Sequence, residues 1–117
     1  MYYKDTCNNL LNDFSEYKEN WNNNGAKPFN KELIDKCREF VNKLEHAPEV
    51  FPVANNSIQF EFDKSDGSYL KVNIFDDRIT AYNVLCDKSE YKYNTDDINE
   101  AINIVNNFYD NTIDDEE

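Results

Sequence analysis

Between Trp21 and Pro52 lie the chain's only tryptophan, one of its two glycines and all three of its prolines. That punctuation constrains the fold more than any other feature. Trp21-Asn22-Asn23-Asn24-Gly25-Ala26-Lys27-Pro28 opens the stretch and Pro48-Glu49-Val50-Phe51-Pro52 closes it. Proline fixes its own φ and disfavours helix in the residue before it, so two rigid corners bracket whatever lies between. Between them Leu33, Ile34, Cys37, Phe40, Val41 and Leu44 recur at helical intervals, which predicts a helix over about residues 30–45. Asn30 is placed to cap it, and Phe29 and Ile34 stand at the spacing of a hydrophobic staple. His46, the only histidine, follows near the helix end, where the macrodipole favours a cation.

The flanks follow different periods. Upstream, Cys7, Leu10, Leu11, Phe14 and Tyr17 mark one apolar stripe and predict an amphipathic helix over about residues 4–18. Trp21 continues the stripe as an anchor for the Asn-rich turn, where Asn and Gly tolerate positive φ. Downstream of Pro52 the apolar period falls to two. Ile58, Phe60 and Phe62 alternate with Gln59, Glu61 and Asp63, and Leu70, Val72 and Ile74 with Tyr69, Lys71 and Asn73. With the turn Lys64-Ser65-Asp66-Gly67 between them, the two runs predict a β-hairpin. Asp76-Asp77-Arg78 connects to a third strand at 79–85, and Glu90-Tyr91-Lys92-Tyr93 offers a short fourth. Thr95 is a candidate cap for a last helix carrying Ile98, Ala101, Ile102, Val105, Phe108 and Tyr109 on one face.

The expected architecture is therefore α+β: two N-terminal helices, a three- to four-stranded antiparallel meander, and a C-terminal helix packed on one face of the sheet. Residues 1–110 form one domain in this reading, with an acidic, disordered tail at 111–117. The opposite face of the sheet would carry Gln59, Glu61, Lys71 and Asn73 to solvent.

The combination of Trp21-x-x-x-Gly25-Ala26-Lys27-Pro28, a helix, Pro48-x-Val50-x-Pro52 and then Ile58-x-Phe60-Glu61 resembles a group of small bacterial and phage-encoded proteins. The resemblance spans residues 21–85. It concerns structural punctuation, so it implies an architecture and no activity. Where that pattern commonly has Gly before the first strand, this chain has Asn55-Asn56.

Charge separates the halves. Of a formal net charge of −12, residues 1–57 hold nine acids against seven bases and residues 58–117 hold fifteen against five. A negative field of that size disfavours nucleic acid and anionic membranes and favours basic surfaces. Cys7, Cys37 and Cys86 are odd in number and widely spaced, without the spacing of a zinc or iron–sulfur site. They read as reduced core thiols in a cytoplasmic protein. No signal-peptide-like or membrane-spanning apolar run occurs in the sequence.

Catalytic equipment is not recognisable. Gly25 and Gly67 are too few for a phosphate-cradling loop, and His46 has no Ser or Cys in a nucleophile context. The acidic pairs Asp76-Asp77, Asp96-Asp97 and Asp114-Asp115 each fit a turn, a helix start or a tail, and no cofactor is implied. What remains is the acidic second half interleaved with tyrosine. Glu61, Asp63, Asp76, Asp77, Asp87, Glu90, Tyr91 and Tyr93 form the candidate partner-binding set, because tyrosine beside carboxylate suits Arg and Lys of a basic protein. The corresponding expectation is a non-enzymatic inhibitor or regulator occupying a nucleic-acid-binding surface, as an antitoxin, immunity protein or anti-CRISPR-like anti-defence protein does. An accessory domain with no charge-dependent partner is the first alternative, and a small carboxylate or metal-dependent enzyme the second.

Overall fold

The computed structural model describes residues 2–110, and the change of hydrophobic period becomes a change of element. Helices α1 (Tyr2–Ser15) and α2 (Lys31–Lys43) precede strands β1 (Glu49–Val53), β2 (Ser57–Asp63), β3 (Tyr69–Ile74), β4 (Ile79–Val84) and β5 (Glu90–Thr95), and α3 (Ile98–Asp110) closes the chain. The strands make one antiparallel sheet in chain order, a five-stranded meander in an α+β fold.

Alternation along the strands buries one face. Ile58, Phe60, Phe62, Leu70, Val72, Ile74, Ile79 and Ala81 are all buried, and they join Leu11, Phe14, Leu33, Cys37, Val41, Val105 and Phe108 in one core. Contact between layers is ring on ring at two places: Phe40 of α2 meets Phe60 edge-on at 4.9 Å, and Tyr109 of α3 meets Phe62 at 6.3 Å. Such tilted arrangements suit the aromatic quadrupole. The core is nonetheless mainly aliphatic, with Phe14, Phe29, Phe40, Phe60, Phe62 and Phe108 set among a larger number of Leu, Ile, Val and Ala side chains.

The corner after α1 is held by both its asparagines and its indole. Asn20 and Asn23 adopt left-handed φ values of 64° and 62°, and Gly25 takes 86°, a region where glycine has no Cβ to strain. Asn20 Oδ1 accepts from Gly25 N–H at 2.7 Å, and Asn22 Oδ1 accepts from the N–H groups of Asn24 and Ala26. Trp21 Nε1–H donates to the Lys27 carbonyl at 2.9 Å while its ring rests 5.1 Å from Tyr17 and 5.6 Å from Phe29. Trp21, Gly25 and Pro28 thus shape the entry to α2, where Asn30 Oδ1 accepts from Leu33 N–H at 2.8 Å as the cap.

Several expectations are corrected. The sheet has five strands rather than three or four, because Glu49–Val53 is itself a strand: Pro48 lies just before it, and Pro52 is tolerated at the sheet margin. The strand expected at Glu90-Tyr91-Lys92-Tyr93 is present and runs on to Thr95. Helix α1 stops at Ser15, so Tyr17 and Trp21 pack from the turn beyond it. Asp97, rather than Thr95, caps α3: its carbonyl accepts from Ala101 N–H and its Oδ1 from Asn99 N–H, while Thr95 ends β5. His46 sits past the end of α2, stacked 3.9 Å from Tyr109. Cys7 and Cys37 are buried but Cys86 is exposed in the β4–β5 turn, so only two of the thiols belong to the core. No helix among the described residues is long and apolar enough to cross a membrane. The acidic segment 111–117 lies outside the described residues.

Candidate functional site

Opposite strand residues in an antiparallel ladder share a face, so the register writes out the second face of the sheet as rows. One row crosses all five strands as Glu49, Glu61, Lys71, Tyr82 and Lys92, and the next runs Phe51, Gln59, Asn73, Thr80 and Asn94. A third joins Asp63, Tyr69, Val84 and Glu90. The face is largely polar, and its first row is graded from acid at β1 and β2 to cation at β3 and β5, with Glu90 returning one carboxylate to β5.

At the acidic end, one carboxylate oxygen each from Glu49, Glu61 and Asp63 lies within 4.8 Å of the others. Glu49 and Asp63 are exposed and Glu61 is half-buried. Among the described residues this is the one acidic group with the geometry to hold a cation. Lys71 approaches Glu61 at 3.9 Å and Tyr69's ring at 5.4 Å, so one cation stands beside three anions. Toward β5 the face opens into a hollow of about 560 Å³ lined by Lys71, Asn73, Thr80, Tyr82, Lys92 and Asn94, with no carboxylate in its wall. Tyr69 and Tyr82 meet edge-on at 6.4 Å across β3 and β4, with Lys92 5.7 Å from the Tyr82 ring.

The residues singled out from the sequence do not form one surface. Glu61 and Asp63 come together, and Glu90 shares their face at the far side of the sheet. Asp76 and Asp77 lie in the β3–β4 turn, at the other end of the strands. There Asp76 Oδ2 accepts from Asn30 Nδ2 at 3.1 Å, the Asp76 carbonyl accepts from Lys36 Nζ, and Asp77 pairs with the adjacent Arg78. Asp87 shapes the β4–β5 turn: its Oδ1 accepts from Ser89 N–H at 2.9 Å, and that bond holds its carboxyl below the ordinary range. Tyr91 and Tyr93 point to the opposite side from Glu61, in register with Asn83 and Ala81. The tyrosines that accompany the carboxylates are instead Tyr69 and Tyr82. Behind the acidic end, burial and then the charge of Asp63 raise the pKa of Tyr109.

Glu49 was missed from the sequence, since Pro48–Pro52 read as a corner. The available signal was Glu49-Val50-Phe51-Pro52-Val53 followed by an Asn-Asn turn, which fits an edge strand of a hairpin. Comparison of the chain with models of known families, with curated proteins and with solved structures finds no match.

Proposed function

We propose that the protein is a non-enzymatic binding module that engages a basic surface of another protein through the acidic end of its open sheet face. The carrying observation is the convergence of Glu49, Glu61 and Asp63 within 4.8 Å, beside a single lysine. Three carboxylates and the Tyr69 ring offer acceptors and a π face to Arg or Lys, a combination that suits competition with phosphate for a nucleic-acid-binding surface. Packing of the helices on the other face of the sheet would leave this one free for a partner. Inhibition or regulation of a nuclease, in the manner of an anti-defence protein, antitoxin or immunity protein, is the role that fits this chemistry.

The test is capture of a partner at low and high salt, comparing the natural chain with Glu49→Gln/Glu61→Gln/Asp63→Asn and with Asp76→Asn/Asp77→Asn. A basic nucleic-acid-binding partner held by the natural chain and the turn variant, and lost from the triple variant and at high salt, is the expected outcome. Retention by the triple variant would refute the assignment of the site, and capture of nothing specific would leave the accessory-domain reading in its place. The same trio also supports a second reading, a divalent cation site. Thermal stabilisation of the natural chain by Mg²⁺ or Ca²⁺, absent from the triple variant, would favour it.

A further inference from the structure

The two edges of the sheet are finished differently. Successive residues in an antiparallel strand direct their backbone N–H and C=O alternately to one side and the other. The hydrogen bond from Leu85 N–H to Ser89 O, 2.9 Å, closes the β4–β5 hairpin. Carried along the register, it assigns Tyr91, Tyr93 and Thr95 to bonding with β4 and turns Glu90, Lys92 and Asn94 outward. The corresponding bond from Lys64 N–H to Ser68 O fixes β2 and β3. It thereby directs Glu49, Phe51 and Val53 of β1 toward β2, leaving Val50 and Pro52 on the outer side. Pro52 has no N–H to offer, so the β1 edge is blunted against a further strand. Every outward position of β5 keeps both donor and acceptor.

Side chains reinforce the contrast. Phe51, Tyr91 and Tyr93 are the large apolar side chains exposed among the described residues, and two of the three are on β5. Tyr91 is 48% exposed and Tyr93 40%. Tyr93 borders a groove of about 300 Å³ against Glu100, Asn103 and Ile104 of α3.

We propose that β5 pairs with β5 of a second copy of this chain, antiparallel about a two-fold axis at Tyr91, continuing the sheet across the pair. A two-fold axis normal to a sheet keeps each face on its own side, so it must pass through a residue, and charge selects which one. Centred on Lys92, the pairing sets that lysine against its own copy. Centred on Tyr93, it sets Glu90 against Asp96, and centred on Asn94 its only charge pair is Lys92 with Asp96, which lies past the end of β5 at Thr95 and outside its ladder. Centred on Tyr91, it sets Glu90 of each copy against Lys92 of the other on the open face, and the two Tyr91 rings against each other on the opposite face. Glu90 and Lys92 are then also the outward-bonding pair, exchanging N–H···O bonds in both directions. Opposite charges at directly paired positions favour that register. The inference is independent of the function proposed above, whose carboxylates lie at β1 and β2.

One strand and its flanking tyrosines make a small interface, so association should depend on concentration. Sedimentation equilibrium of the full chain up to about 1 mM, in buffer near 0.15 M salt where the net charge is screened, reads it directly. The natural chain should pass from monomer to dimer as concentration rises. Glu90→Lys and Lys92→Glu should each remain monomeric, since each sets like charges together. An equimolar mixture of the two variants should restore the dimer, because every junction pair is then complementary. Circular dichroism establishes that both variants are folded. A natural chain that stays monomeric throughout, single variants that still dimerise, or a mixture that fails to associate would each overturn the proposal.

Discussion

Glu49→Gln should stabilise the protein, an unusual direction for a point substitution. In the folded chain the Glu49 carboxylate stands within 4.8 Å of those of both Glu61 and Asp63, and its partners include no base within salt-bridge distance among the described residues. At that separation in water each pair repels by about 0.9 kcal/mol, so two pairs amount to about 1.7 kcal/mol. Rotation of exposed side chains relieves roughly half of it, leaving about 0.8 kcal/mol at low ionic strength. The unfolded chain does not hold residue 49 against residue 61, so the repulsion belongs to the native state. Replacing the charge by an amide of the same shape should raise the melting temperature by about 2–5 °C in roughly 0.01 M salt. In about 1 M salt, where the Debye length is near 3 Å, the gain should shrink to about 0.2 kcal/mol. Thermal and urea unfolding followed by circular dichroism at the two salt concentrations measure both values. A loss of stability, or a gain that is the same at both, would refute the electrostatic reasoning. The prediction also bears on function: carboxylates that weaken the fold are the ones for which a binding role gives a reason to be present.

Phe29 is buried, with Phe14 and Tyr17 at 6.3 Å and Trp21 at 5.6 Å. Phe29→Ala should cost about 3 kcal/mol and Phe29→Leu about 1 kcal/mol, measured by urea unfolding with the single tryptophan as reporter. Cys86 should react with a thiol reagent in the native protein while Cys7 and Cys37, buried and with their thiol pKa values pushed up by that burial, wait for unfolding. Asp66 and Asp87 are held below the ordinary carboxyl value of 3.8, chiefly by the backbone N–H groups of Ser68 and Ser89. Because the folded pKa is depressed, their contribution is present above the ordinary value and is lost as pH falls through the folded one. Carboxyl NMR titration should place both midpoints below 3.8. Asp87→Asn, which keeps the Oδ1 acceptor, should retain the turn while removing its share of the acid sensitivity.

What the sequence disclosed depended on how local the cause was. Helix α2 was legible because its period, its Asn30 cap and its bracketing corners act within a few residues of one another. The β2–β3 hairpin was legible for the same reason, through strict alternation about a four-residue turn. Strand β1 was not, because Pro52 argues against a strand until its outward position is known, and that position is fixed by bonds propagated from β3 through β2. Nearness in sequence to Glu90 suggests that Tyr91 and Tyr93 join the acidic surface, but neighbouring strand residues face opposite sides. The charge of the second half shows the same limit. A meander reverses direction at every turn, so Asp63 and the Asp76-Asp77 pair part to opposite ends of the strands, while Glu49, a strand away from Asp63 in sequence, arrives beside it. Composition supplied the sign of the field, and strand register decided where it becomes a site.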